Sequence, residues 1–134
     1  MEIIDLIPQR EPIVMVDKFV GITNGISETQ LTIKNDNIFV ENDCFTDFGL
    51  IEHIAQSAAA RVGYICRKEN KPISIGYIGA ISNMEIVFLP KINDILETRI
   101  EILQEVFNIT LIKAESFTDG RLAASCQMKI FLNS

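Results

Sequence analysis

The stretch from Asp47 to Lys68 constrains this chain more than any other. Ile51, Ile54, Ala55, Ala58, Val62 and Ile65 recur at helical spacing, which predicts one apolar face on a helix over residues 47–68. Thr46 or Asp47 supplies an N-cap, and Pro72 stops the helix from running much further. Ala55, Ala58, Ala59 and Ala60 keep the helix slim. A slim helix can lie close against a concave sheet, because small side chains let the two approach.

The rest of the chain supplies strands for such a sheet. Ile13 to Val20 lies between Pro12 and Gly21 and reads as a strand, followed by an Asn24-Gly25 turn and a second strand over 26–34. Residues 2–7 suit a short helix that stops at Pro8. Asn35 to Asp43 reads as a loop held by Ile38, Phe39 and Val40. Beyond the helix, strands are predicted over 74–88 (with a bend), 94–105, 107–118 and 121–132. Pro90, Asn93-Asp94 and Asp119-Gly120 make the breaks. Ile95, Glu97, Arg99 and Glu101 alternate with Leu96, Thr98, Ile100 and Ile102, so one face of that strand is wet. Two strands, a helix and then long hairpins imply an α+β fold with an antiparallel sheet. One helix cannot cover both faces of that sheet. Either the sheet curls round it or the second face meets another subunit, and the long apolar strands point to a homodimer or higher homo-oligomer.

A length of 134 residues, 48% hydrophobic and 22% charged, suits one domain over 1–134. No apolar run is long enough to span a bilayer. The start, Met1-Glu2-Ile3-Ile4-Asp5, lacks the basic region of a secretion signal. The expectation is a cytoplasmic protein without membrane insertion. Three cysteines (Cys44, Cys66, Cys126) without a Cys-x-x-Cys, and the single histidine His53, predict neither a disulfide framework nor a metal site. No cofactor is implied. The net charge of −6 disfavours nucleic acid as a partner. It also opposes an acidic partner unless a basic patch intervenes. Arg61, Arg67, Lys68 and Lys71 are candidates for one; their plainer reading is a solvated helix end.

Three segments resemble the 3-hydroxyacyl-(acyl carrier protein) dehydratases, a hot-dog family. Leu6 to Asp17 is similar to that family's opening "LPHRxPxLLVD", Asn35 to Phe39 to its "NEPFF", and Glu52-His53-Ile54-Ala55-Gln56 to its "EALAQ" on the central helix. Ile78 to Asn83 is a weaker match to "AGIDNA". The matches occur in order. Gly49 to Ala60 also resembles a divergent branch linked to polyene-type pigment synthesis. The resemblance implies a hot-dog fold, with a long central helix wrapped by a curved antiparallel sheet. It implies dehydration of 3-hydroxyacyl thioesters to trans-2-enoyl thioesters, in fatty-acid or polyene-type synthesis, with acyl carrier protein as partner. The family's usual catalytic pair is a loop histidine in "GHFP" and the helix glutamate. Here the glutamate is Glu52, the aligned loop position holds Asn42, and the loop is shorter than usual.

Such a dehydration needs a base for the proton beside the carbonyl, an acid for the departing hydroxyl, and donors for the thioester oxygen. Glu52, in an apolar stretch near the helix start, is the candidate acid. The backbone N–H groups of Gly49 and Leu50 are candidate donors, and Gly49 would allow substrate close to the backbone. Gln56, one turn after Glu52, is placed to hold it. Asn42 can orient a water or hydroxyl but is a poor base; Asp36 and Asp43 are alternatives. His53 points about 100° away from Glu52 and is more readily a packed or surface histidine. Cys44 has nothing nearby in sequence to activate it. Phe39, Phe45, Phe48 and Tyr77 are candidates for an acyl tunnel, though aromatic residues at such positions are more often plain core.

Three functions remain open on sequence: a dehydratase using Glu52, a hot-dog acyl thioesterase with water as nucleophile, and a non-catalytic subunit that binds acyl carrier protein or a catalytic hot-dog partner.

Overall fold

The computed structural model describes residues 1–133, and its axis is α1, Asp47–Lys68. Thr46 caps it, with Thr46 Oγ1 accepting from Gly49 N at 3.3 Å. Eight strands surround it: β1 Lys18–Thr23, β2 Ile26–Thr32, β3 Val40–Glu41, β4 Cys44–Phe45, β5 Ile75–Ile86, β6 Ile95–Val106, β7 Ile109–Thr118 and β8 Arg121–Asn133. Six form one antiparallel sheet in the order β1-β2-β6-β7-β8-β5, while β3 and β4 make a small hairpin of their own. Ladder irregularities in the β1–β2, β5–β8, β6–β7 and β7–β8 pairs bend the sheet round the helix. This is the hot-dog arrangement that the resemblance implies.

The strand faces follow their alternation. Leu96, Thr98 and Ile100 of β6 point inward and are buried, while Glu97, Arg99 and Glu101 point away from the helix. Ile54 and Ala58 pack on Ile100, Ile112, Ala114, Cys126, Met128 and Ile130. A second cluster, with Met15, Leu31, Phe45 and Leu50, closes the start of the helix.

The predicted strand at 13–20 is displaced: pairing begins only at Lys18. The reason is that α1 captures the backbone just before it. Gln56 Oε1 accepts from Met15 N at 2.6 Å, Gln56 Nε2 donates to Ile13 O at 2.8 Å, and His53 Nδ1 lies 2.6 Å from Met15 O. Residues 6–16 thus form a strap across the helix, anchored by Leu6 and Ile7 on Ala60. Gly63 permits this crossing, since a Cβ there would collide with the Leu6 carbonyl oxygen.

Part of the predicted loop 35–43 is ordered as the β3–β4 hairpin. Its two turn residues, Asn42 (φ 53) and Asp43 (φ 63), adopt the left-handed conformation that short hairpins require. At the other end of the chain's order, β5 is an edge strand whose residues are exposed along nearly its whole length. Among the described residues no helix is long and apolar enough to cross a membrane.

Candidate functional site

Glu52 lies in the second turn of α1, partly buried, on the stripe of the helix that borders a hollow between Gln9 of the strap and strand β5. Its carboxylate is held: Gln56 Nε2 donates to Glu52 Oε2 at 2.6 Å. Gln56 is itself fully buried and fixed by the two strap bonds. The amide therefore ties Glu52 to the strap, and the carboxylate has one preset orientation.

A hollow of about 250 Å³ opens beside Glu52, walled by Ala55, Ala59 and Val62 of the helix and by Gly76, Tyr77 and Ile78 of β5. A second hollow of about 280 Å³ continues past it, with Ala58, Val62, Ser74, Ile130 and Leu132 common to both. Together they form a mainly apolar groove with Glu52 at one end. The alanines predicted to keep the helix slim do so here, and the groove occupies the space they leave. Tyr77, at 57% exposure, and Ile78 stand where the groove meets the sheet edge.

The other candidates are dispersed. Leu50 is fully buried, and its N–H is bonded to Thr46 O at 3.0 Å. The Gly49 N–H goes to the Thr46 hydroxyl. The expectation of two free donors at the helix start is therefore corrected, since the cap and the first helical bond consume them. Gly49 is required for packing instead, because a Cβ there would lie 2.5 Å from Phe45 Cε1 and 2.8 Å from Phe39 Cβ. Phe45 is core and Phe39 packs beside it. Phe48, at 70% exposure, points outward and does not line the groove. Asn42 is an exposed turn residue, and neither it nor Asp43 or Asp36 lines the hollow at Glu52.

His53 is fully buried. The Met15 carbonyl can only accept, so Nδ1 carries the proton and Nε2 accepts from Thr98 Oγ1 at 2.7 Å. Thr98 Oγ1 in turn accepts from Ser116 Oγ at 2.7 Å. Burial pushes the His53 pKa down to about 4, against a smaller opposing effect of the Met15 bond. The histidine is a neutral structural group and does not face Glu52's groove. The basic cluster is also divided. Arg61 is buried, Arg67 Nε donates to Asp5 O at 3.1 Å, and Lys71 pairs with Glu69 at 3.2 Å.

Sequence reasoning did not single out Gln9, which stands at the histidine of the opening "LPHR" pattern. It lines the same hollow as Glu52, and its Oε1 is buried without a partner among the described residues. The order of the quoted motifs carried that signal, since Gln9 and Glu52 fall in two of its segments.

Comparison with known proteins agrees with this fold. The chain is 27% identical over 135 residues to a 3-hydroxyacyl-[acyl-carrier-protein] dehydratase FabZ of Lactobacillus helveticus, covering 95% of this chain and 88% of that one. Its fold matches the dehydratase heterocomplex ApeI:P from Xenorhabdus doucetiae with a TM-score of 0.91 at 14% identity, over 100% of this chain and 92% of that one. It also matches a hypothetical thioesterase from Streptococcus pneumoniae, solved with coenzyme A, with a TM-score of 0.69 at 12% identity, over 87% and 85% of the two chains. The family model described as ApeP dehydratase matches residues 1–133, and the chain belongs to this ApeP-like branch of the FabZ-like hot-dog dehydratases.

Proposed function

We propose that the chain takes part in dehydrating 3-hydroxyacyl thioesters carried on acyl carrier protein, with Glu52 as the group that protonates the departing hydroxyl. One observation carries this reading: a carboxylate fixed by Gln56 stands at the end of an apolar groove that suits an acyl chain. In the reaction a base takes a proton from C2, the hydroxyl on C3 leaves as water with the proton that Glu52 gives, and the C2–C3 double bond forms. Metal or cofactor chemistry is not needed for these steps.

A second reading is favoured by where the remaining polar groups lie. The only histidine is locked in the core, and Asn42 is an exposed turn residue. The base would then come from a second hot-dog chain. Strand β5 presents a long unpaired edge with Tyr77 and Ile78 on it, so a chain pairing there would close the groove beside Glu52. A relative of the same fold is described as a heterocomplex. The protein is thus either a complete homodimeric enzyme or the Glu52-bearing half of a mixed one.

The purified protein, alone and with a catalytic hot-dog partner, would be given a 3-hydroxyacyl thioester on acyl carrier protein and followed by mass. Enoyl product that disappears in Glu52→Gln supports the first reading. Product only with the partner, still lost in Glu52→Gln, supports the second. Release of free thiol and acid points to a thioesterase. Full turnover by Glu52→Gln refutes the role given to Glu52.

A further inference from the structure

The β6–β7 hairpin ends in a two-residue turn, Phe107-Asn108, closed by the Val106–Ile109 pair. Phe107 sits at φ 56. Every other non-glycine residue at positive φ among the described residues is Asn or Asp. Those are the ordinary choices, because a short polar side chain tolerates the left-handed region and a bulky one does not. With Phe107 alone of the two at positive φ, the turn is of the type II′ kind, whose first position ordinarily holds glycine. Packing does not offset the strain, since Phe107 is fully exposed. A strained backbone that carries a solvent-facing aromatic ring points to a use outside the fold.

The ring does not stand alone. Ile130 is buried, so its neighbour Phe131 lies on the outer face of the sheet. The ladders set Tyr77, Phe131, Ile109 and Val106 side by side on that face, across β5, β8, β7 and β6. Gly79 lets the Phe131 ring lie close against β5, since a Cβ there would collide with it. Leu132 N donates to Asn108 O at 2.8 Å and ties the turn to β8. The charges bordering this apolar end balance. Lys129 and Glu105 each adjoin it, and Lys113 lies directly opposite Glu101 further down the face. A chain of net charge −6 thus presents one nearly neutral apolar end.

We infer that this end docks the protein on the surface of a zwitterionic lipid bilayer, with Phe107 seated at the boundary of headgroups and acyl chains and nothing spanning the bilayer. Two observations choose this occupant. Five side chains fall well short of the roughly 20–30 residues a side that a stable protein interface uses, whereas a small apolar surface with an aromatic ring suits shallow, reversible binding at the lipid interface. The balanced rim suits headgroups of zero net charge; a basic rim would be needed to draw the protein to anionic lipid. The inference does not depend on the acyl site proposed above.

Flotation of the purified protein with vesicles of phosphatidylcholine, and of phosphatidylcholine mixed with phosphatidylglycerol, tests this. The wild type should float with both to the same extent. Phe107→Gly should weaken binding about tenfold, as removal of one buried aromatic ring implies. It should not lower the melting temperature, because glycine fits that turn position. The chain contains no tryptophan, so Phe107→Trp gives a single reporter whose emission should shift to the blue when phosphatidylcholine vesicles are added. A wild type that stays with the soluble fraction, a Phe107→Gly variant that floats equally well, or binding that requires phosphatidylglycerol each overturns the inference. Sedimentation without lipid supplies the last arm: a smaller assembly in Phe107→Gly than in the wild type would make the tip a protein contact and overturn the inference as well.

Discussion

Acid should destabilise this protein through one residue. His53 is fully buried and neutral, with its pKa lowered from 6.5 to about 4 by burial. In the unfolded chain it takes up a proton below about pH 6.5; in the folded chain it does so only below about pH 4. Between these values the unfolded state binds more protons, so stability falls as pH falls. The linkage gives a loss relative to pH 7 of about 2 kcal/mol at pH 5 and about 3 kcal/mol at pH 4. For a chain of this length, 3 kcal/mol corresponds to roughly 10 °C in Tm. Urea unfolding would be followed from pH 7 to pH 4 at fixed protein concentration, for the wild type and for His53→Gln. The variant keeps a donor and an acceptor but cannot be protonated. It starts less stable, and its curve against pH should be flatter by about 3 kcal/mol across the window. Because His53 is the only histidine, its ring proton resonances can be read without assignment. Parallel stability curves for the two proteins, or a ring that titrates near pH 6.5 in the folded state, would refute the reasoning.

Gln56→Leu removes three hydrogen bonds, to Met15 N, Ile13 O and Glu52, and should cost about 2–4 kcal/mol in urea unfolding. It should also lower kcat more than it raises KM, since Glu52 loses its fixed orientation. Gly63→Ala drives a methyl into the Leu6 carbonyl and should destabilise by about 2–3 kcal/mol, read as a lowered denaturation midpoint. Tyr77→Lys and Ile81→Lys on the β5 edge should shift sedimentation towards the monomer; an unchanged distribution would mean that this edge is not the interface.

The helix was legible to its last residue because several signals agreed: an unbroken apolar period, Thr46 before it and Pro72 after it. The strands that follow were legible because Asn93-Asp94 and Asp119-Gly120 mark their turns. The strand at 13–20 misled for a physical reason. Ile13, Val14 and Val16 have the composition of a strand, but Gln56 and His53 take the backbone groups that pairing would use. No local pattern announces that a side chain far along the chain will do this. Arg61 misled in the opposite way, because a charged residue is rarely so buried, and its neighbours Arg67 and Lys68 are exposed. The Gly49 and Leu50 donors were predictable. A threonine N-cap already implies that its oxygens occupy the N–H groups of the next turn.

The three-sided use of α1 limits how this protein can diversify. His53, Gln56, Ala60 and Gly63 are committed to the strap, and Leu50, Ile54 and Ser57 to the interior. Changes on those faces are filtered by folding before selectivity can be altered. Ala55, Ala59, Val62 and Cys66, by contrast, border open volume, so their replacement reshapes the cavity, with Ala55 and Ala59 also touching the edges of the sheet and strap clusters. On the proposed function, substrate range should therefore drift more readily through these positions than through the strap and core faces of the helix. A saturation library confined to them would sample new chain lengths and shapes at little risk to the scaffold.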